Sequence, residues 1–148
     1  MADTMQFDLV SPERNLSSVQ VRELRLPASE GDMVVMPGHA LEIVTLRPGI
    51  VTVIDATGKE TQFAISGGFV EINNDSASLL AEMGHARDDM DQARFDAMAA
   101  SAHRKHKQAT ARGEGAEEAV LAAQKLLSDM FALGTHIGLD PNSATMPE

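Results

Sequence analysis

The first half of the chain consists of short apolar runs that alternate with polar residues and are separated by turn signals. The run MQFDLV places Met5, Phe7 and Leu9 on one side, as in a half-buried strand. Similar runs follow at residues 19–26, 50–54, 61–66, 69–72 and 77–82. Strands that repeat at this spacing, with Gly- and Asn-rich turns between them, predict an antiparallel sandwich or barrel.

Three irregularities in this pattern carry structural information. The alternation slips by one residue at Arg22–Glu23, which predicts a β-bulge. The run IVTVI at residues 50–54 is apolar on both faces and predicts a strand that is covered on both sides. The pair Gly67–Gly68 predicts a bulge or a close approach of two backbone segments.

The second half has a helical pattern. Residues 88–134 contain no proline and much alanine, which favours helices. The predicted apolar stripe of the first helix is Met90, Ala93, Ala97 and Ala100. That of the second helix is Ala119, Ala123, Leu126, Met130 and Leu133, widened by Leu127 and Phe131. The glycine-containing segment at residues 109–116 separates the stripes and predicts an antiparallel helical hairpin.

The sequence therefore predicts an α+β fold in three parts. We expect a β-sandwich over residues 1–86, a helical hairpin over residues 87–134 and a flexible tail over residues 135–148. The tail contains two prolines and has no periodicity, as is common at fraying chain ends.

Composition and charge exclude several functional classes. The net charge is −10, and the chain has five Phe but no Trp or Tyr, which disfavours nucleic-acid binding through basic grooves and stacked rings. The absence of cysteine excludes disulfides, thiolate zinc sites and a cysteine nucleophile. We expect no signal peptide and no membrane-spanning segment, so that any membrane association goes through a partner.

The segment EGDMVVMPGHALEIVTLRPG, residues 30–49, concentrates the residue types that bind metals or move protons. Glu30, Asp32 and His39 could form a metal site only if further ligands converged on them. Their spacing is irregular, so we favour a docking loop over a metal site. His103 and His106 lie among positive neighbours, and Ser66 lacks the strand–turn–helix setting of a hydrolase nucleophile. We therefore expect no catalytic constellation and no metal.

Five segments together resemble the epsilon subunit of bacterial F-type ATP synthases in order and spacing. They are LVSPERNLSSVQV, EGDMVVMPGHA, LRPGIVTV, SGGFVEI and LLAE. The resemblance extends to about residue 134. It implies a flattened sandwich of about ten strands followed by two antiparallel helices, in a noncatalytic subunit of the rotating central stalk.

The resemblance also implies partners for this chain. They are the gamma subunit, the c-subunit ring and, through the hairpin, the alpha/beta catalytic head. The family's loop that matches SEGD touches the polar loops of the c ring, which makes Glu30 and Asp32 candidate contacts. His39 belongs to the same region, either as a contact or as a turn histidine bonded to backbone. The implied location is the cytoplasmic face of the bacterial inner membrane, with the membrane reached only through the c ring.

Some family members bind regulatory ATP through a motif [I/L]-D-x-x-R-A in the first helix. The match here is MDQARF: Asp91 and Arg94 are retained, but Phe95 replaces the alanine. We favour an i,i+3 ion pair for these two residues and expect no cofactor. The second helix carries Lys125 as its cation against three acidic residues, so we expect weak inhibition of ATP hydrolysis.

Two positions depart from the family pattern. Val34 stands where glycine is usual, and Leu41 stands where proline commonly follows His-Ala. An alternative hypothesis belongs to another functional class. Under this hypothesis, the chain is a free-standing β-sandwich module that senses a nucleotide or another small molecule through the hairpin.

Overall fold

The computed structural model describes residues 3–112 and 117–141, in which nine strands precede two helices. The strands are β1 (Met5–Val10), β2 (Asn15–Ala28), β3 (Gly31–Val35), β4 (Glu42–Leu46), β5 (Gly49–Asp55), β6 (Glu60–Ile65), β7 (Gly68–Ile72), β8 (Ser76–Ala81) and β9 (Gly84–Ala86). A 3₁₀ turn at Arg87–Asp89 follows, and then α1 (Gln92–Ala111) and α2 (Glu117–His136). The predicted fold class is confirmed, with nine strands in the described residues.

The chain divides into two compact units, Met1–Asp89 and Met90–Glu148. The first unit holds all nine strands, and the second holds both helices. The apolar cluster of the first unit is formed by residues of the strands.

Strand β2 organises the sandwich because it pairs along both of its edges. On one edge it pairs with β1 and then with β3, and on the other with β5 and then with β4. Val21, for example, lies opposite Met5 of β1 and opposite Asp55 of β5. The register with β5 shifts between Val21 and Glu23, which confirms the predicted bulge.

The remaining strands extend the sheet in the order β1-β8-β7-β4-β2-β5-β6-β9, with β3 beside β2. All pairs are antiparallel except β1 and β8, which run parallel with Phe7 opposite Ala77. The sequence predicted an antiparallel sandwich throughout, so this pair is an exception. It arises because β1 also pairs with β2, so that β1, β8, β7, β4 and β2 form a closed ring of five strands. A ring with an odd number of strands cannot alternate in direction throughout and must contain one parallel pair.

Alternation along the strands fills the core of the sandwich. Met5, Phe7 and Leu9 are buried, as the period-two pattern predicted. In β5, Val51, Thr52 and Val53 are all buried, which agrees with a strand covered on both sides. Full burial of such apolar side chains contributes about 1.5–3 kcal/mol each, so this core dominates the stability of the unit.

Gly68 marks the close approach of two backbone segments that its sequence context predicted. It adopts a φ of +148°, and an added Cβ would collide with the carbonyl oxygen of Leu80 and lie 2.9 Å from Ala81 Cα. Both neighbours are backbone atoms of β8 and cannot turn aside. Glycine is therefore required here for conformation and for space.

The hairpin differs from its predicted packing in the first helix. Ala93 and Ala97 are exposed, and Met90 precedes the helix, so the predicted stripe was wrong. The buried residues of α1 are Phe95, Met98, Ala99, Ala102 and Ala109. Larger side chains decide which face is buried, because an alanine stripe has little apolar area to bury.

The second helix follows its prediction more closely. Ala123, Met130 and Leu133 are buried, whereas Phe131 is exposed. Helix α2 continues to His136, beyond the predicted end at residue 134. The amide of Asp140 donates to Gln92 Oε1 at 2.9 Å, and Gln92 Nε2 donates to the Asp140 carbonyl at 2.8 Å. Residues 142–148 of the predicted tail, and residues 113–116 of the predicted loop, lie outside the described residues.

Candidate functional site

Glu30 and Asp32 lie together at the tight turn between β2 and β3. Ala28 pairs with Gly31, so Ser29 and Glu30 form the turn itself. Gly31 has a φ of +139°, a conformation that glycine adopts most readily. The Asp32 side chain is 80% exposed, and Glu30 is exposed as well. The turn therefore presents two carboxylates to solvent.

Arg47 fixes this turn from the other side of β2. Its Nη2 donates to Asp32 Oδ1 at 2.5 Å, and its Nη1 donates to the Ala28 carbonyl at 2.5 Å. The Arg47 amide donates to the Pro27 carbonyl at 2.9 Å. The Arg47 side chain is 27% exposed and that of Asp32 is 80% exposed, so the bond to the Ala28 carbonyl is partly shielded from water, whereas the ion pair with Asp32 faces solvent.

Sequence reasoning missed Arg47. Fifteen residues separate it from Asp32, and no motif links the two positions. Only the pairing of β2 with β3 on one edge and with β4 on the other brings them together. The one usable signal was the LRPG segment, in which Arg47 directly follows the end of β4 and precedes Pro48.

His39 lies on a different loop. It follows β3, and its Nδ1 donates to the Ala40 carbonyl at 2.7 Å. The same loop is tied down where the Gly38 amide donates to the carbonyl of Asn74, at 2.7 Å, in the turn between β7 and β8. Over residues 3–112 and 117–141, no three His, Asp or Glu side chains lie close enough to hold a metal ion. The bond between Gly38 and Asn74 holds this loop, whereas His39 bonds to the carbonyl of the residue that follows it.

An open groove of about 410 Å³ runs between the β2–β3 turn and β4. Its lining includes the carboxylates of Glu30, Asp32 and Glu42 together with Met33 and Ile43. Three acidic residues line this groove, whereas Arg47, which is bonded to Asp32, contributes one positive charge. A groove with negative groups and an apolar wall suits a cationic side chain flanked by apolar atoms.

The outer face of the β4–β7–β8 layer carries an exposed apolar patch. It consists of Ile43, Phe69 and Leu80, which are 70%, 48% and 46% exposed. Phe69 pairs directly with Leu80, and on its other side with Thr45 of β4. We call these three residues the outer apolar patch. A contiguous patch of exposed apolar side chains on a sheet face is typical of a binding surface.

Asp91 and Arg94 meet at the start of α1. Asp91 is the N-cap residue: its Oδ1 accepts from the Arg94 amide, and its Oδ2 accepts from Arg94 Nη1, both at 2.8 Å. An N-cap oxygen satisfies a backbone donor that has no partner within the helix. The two residues thus form an i,i+3 ion pair that begins the helix.

Ser66 and His103, the two other polar residues considered from the sequence, lie within regular elements or at their ends. Ser66 is buried, and its Oγ accepts a hydrogen bond from the Met83 amide at 3.1 Å, which ties the end of β6 to the segment before β9. His103 is partly buried on α1, with its Nδ1 out of contact with solvent. Ser66 is not among the residues that line the surface next to the β2–β3 turn.

Neither described helix has the length and apolar character needed to cross a bilayer.

Comparison with known proteins identifies related chains. The family model for the ATP synthase Delta/Epsilon chain beta-sandwich domain matches residues 4–85.

Curated relatives match over almost their whole length. An ATP synthase epsilon chain of Paracoccus denitrificans is 63% identical over 147 residues, which is 99% of this chain and 99% of the relative. An ATP synthase epsilon chain of Rhodobacter capsulatus is 49% identical over 140 residues, or 94% of this chain and 100% of the relative. Among solved structures, a chain of the Euglena gracilis mitochondrial ATP synthase superposes with a TM-score of 0.65 at 21% identity. That match covers 93% of this chain and 83% of the other, and it supports the fold.

Proposed function

Because this chain belongs to the family of ATP synthase epsilon chains, we propose that it is a central-stalk subunit that couples rotation of the c ring to ATP synthesis on other subunits. The chain is a noncatalytic subunit of that complex. The observation that carries the proposal is the similarity over the full length of the chain, which includes both the sandwich and the hairpin. A densely packed β-sandwich suits this role because it resists deformation.

The β2–β3 turn is our proposed contact with the c ring. Glu30 and Asp32 project negative charge from a turn that is held in place by Arg47. An arginine on a c-subunit loop would form charge-assisted hydrogen bonds with these carboxylates. His39, in the loop between β3 and β4, is a further candidate contact with the ring. The subunit thereby reaches the cytoplasmic face of the inner membrane as a peripheral component, through the ring.

The outer apolar patch is our proposed contact with the gamma subunit. Phe69 lies between Thr45 and Leu80 in a cross-strand row, and Ile43 is the most exposed member of the patch. Large apolar residues at the centre of an interface carry much of its binding energy. Burying these three side chains would supply it without disturbing the interior of the sandwich.

Two matched pairs of variants test these contacts in the assembled complex. We expect Phe69→Ser to reduce retention of this chain by gamma by about tenfold. Val34→Ser, at an exposed position of β3, is the control and should retain wild-type assembly. We expect Glu30→Gln to weaken coupling of proton flow to ATP synthesis in membrane vesicles, while Asp75→Asn leaves it intact. Unchanged retention of the Phe69 variant would remove the gamma assignment, and normal coupling in the Glu30 variant would remove the c-ring assignment.

The hairpin is our proposed link to the alpha/beta catalytic head, with a weak regulatory effect. On α2, Lys125 is already paired with Asp129 at 2.8 Å, and the first turn carries Glu117 and Glu118. A helix with this charge pattern is poorly suited to grip an acidic partner segment. Removal of residues 88–148 should therefore raise ATP hydrolysis by the complex less than about twofold. A severalfold increase would show that the hairpin is a strong inhibitor.

A further inference from the structure

We infer that Arg47 is a positioning residue for partner recognition: it holds Asp32 and the β2–β3 turn in the arrangement that the partner meets. The inference rests on the proposed contact with the c ring. It adds a residue whose own charge is opposite to that of the surface it supports. Arg47 thus acts on the contact through geometry.

The bonds of Arg47 join three parts of the sandwich. Its two Nη atoms hold the Asp32 carboxylate of β3 and the Ala28 carbonyl of β2, and its own amide binds the Pro27 carbonyl. One guanidinium plane therefore connects the residue after β4 to both β2 and β3. Lysine has one nitrogen on a flexible stem and would not reproduce this planar fork.

The two oxygens of the Asp32 carboxylate have different roles. Arg47 occupies Oδ1, while the side chain as a whole remains 80% exposed. The second oxygen is thus presented to a partner from a fixed position. Glu30 is exposed at the neighbouring position and supplies a second carboxylate from the same turn. A preorganised carboxylate loses less conformational entropy on binding than one that moves freely.

Charge and geometry predict opposite effects of removing Arg47. If only charge mattered, Arg47→Gln would make the turn more negative and would strengthen binding to a cationic loop. If Arg47 positions the turn, the same variant weakens binding. The sign of the change in affinity therefore separates the two explanations.

The experiment uses the full-length chain and purified c ring in detergent. We expect Arg47→Gln and Asp32→Asn each to weaken binding by about tenfold, and the double variant to do little more, because the two residues act as one unit. We expect Arg47→Lys to recover only part of the loss. Arg25→Gln is the matched control, since Arg25 pairs with Glu23 at 2.7 Å elsewhere on β2. It should stay within about twofold of wild type.

A second measurement on the isolated chain does not depend on the partner. The Ser29 amide donates to the Thr45 carbonyl at 2.9 Å, next to the bonds of Arg47. We expect its hydrogen exchange to be about tenfold faster in Arg47→Gln and Asp32→Asn, and unchanged in Arg25→Gln and Glu30→Gln. Exchange unaffected by Arg47→Gln, or equal or tighter binding of that variant, would overturn the inference. Failure of Glu30→Gln to affect binding would instead count against the proposed c-ring contact.

Discussion

Gly134 of α2 lies so close to Phe95 of α1 that a Cβ at position 134 would stand 2.6 Å from the Phe95 Cζ. Phe95 is fully buried, so its ring has little room to move away. This contact joins the two helices near the open end of the hairpin. It also shows why a helix interior carries a glycine, which costs about 1 kcal/mol relative to alanine in helix propensity.

Gly134→Ala should destabilise the hairpin. The gain in helix propensity is smaller than the overpacking cost of about 1–3 kcal/mol. Urea unfolding followed by far-UV circular dichroism measures the change. Ser128→Ala, at an exposed position of the same helix, is the control and should be neutral or slightly stabilising. Adding Phe95→Leu should recover part of the loss, and a Gly134→Ala protein more stable than wild type would contradict the contact.

Gly68→Ala should severely destabilise the sandwich. Its Cβ would meet backbone atoms of Leu80 and Ala81, and its φ of +148° disfavours any side chain. We expect a loss of more than about 3 kcal/mol, since two costs combine. Gly38→Ala is the matched control: Gly38 has a φ of +89° but nothing within 4 Å. It should lose only about 1 kcal/mol, and equal losses for the two variants in chemical denaturation would refute the steric explanation.

Asp55 should make stability depend on acidic pH. The Thr57 hydroxyl donates to its Oδ1 at 2.6 Å, and this bond, with the amides of Lys59 and Thr57, lowers the pKa of the Asp55 carboxyl. Because the folded pKa lies below the unfolded value of about 3.9, the ionised group stabilises the fold above that value. The contribution is lost as the pH falls through the folded pKa.

The variant Asp55→Asn tests this expectation. It should lower the melting temperature at neutral pH, and the gap to wild type should narrow as the pH falls below about 4. Asp75→Asn, at an exposed position of the turn between β7 and β8, should show no such pH-dependent gap. An NMR titration that finds the Asp55 carboxyl at or above its ordinary pKa would contradict the prediction.

Asp91→Ala should shorten or destabilise α1. Loss of the bonds to the Arg94 amide and guanidinium removes an N-cap worth about 0.5–2 kcal/mol, whereas Asp91→Asn keeps an oxygen for the amide and should lose less. The same two residues match the ATP-binding motif, so calorimetry of the wild-type chain with ATP is the companion measurement. We expect no binding heat at millimolar ATP, and saturable binding abolished by Asp91→Asn would favour a nucleotide site.

The sequence predicted those parts of the fold whose signal is local. The period-two runs located six of the nine strands, and the slip at Arg22–Glu23 located the bulge. Strands β3, β4 and β9 were not assigned from the sequence. Strands β3 and β4 lie in the segment 30–49, which was predicted as a docking loop, and β9 consists of Gly84, His85 and Ala86, residues without strand preference. They become strands because paired neighbours satisfy their backbone groups.

The candidate site was predictable only in part. Glu30 and Asp32 stood out as carboxylates beside a glycine, and they do share one turn. The role of Arg47 depends on the register of β2 with two different neighbours, which no local pattern encodes. The predicted face of α1 failed for another reason: Phe95 and Met98 have more apolar area to bury than the alanines, and Phe95 packs closely against Gly134 of α2.

Strand β2 gives the sandwich a mechanical property of its own. Its fourteen residues span about 45 Å at the usual rise per residue. Strands on both of its edges are hydrogen-bonded to this one continuous segment. A push at Ser29–Glu30 therefore enters the main chain directly and runs lengthwise along it. A strand could slide past β2 only by breaking its hydrogen bonds to β2, and β2 has partners on both edges. We therefore expect the sandwich to transmit a torque with little internal deformation.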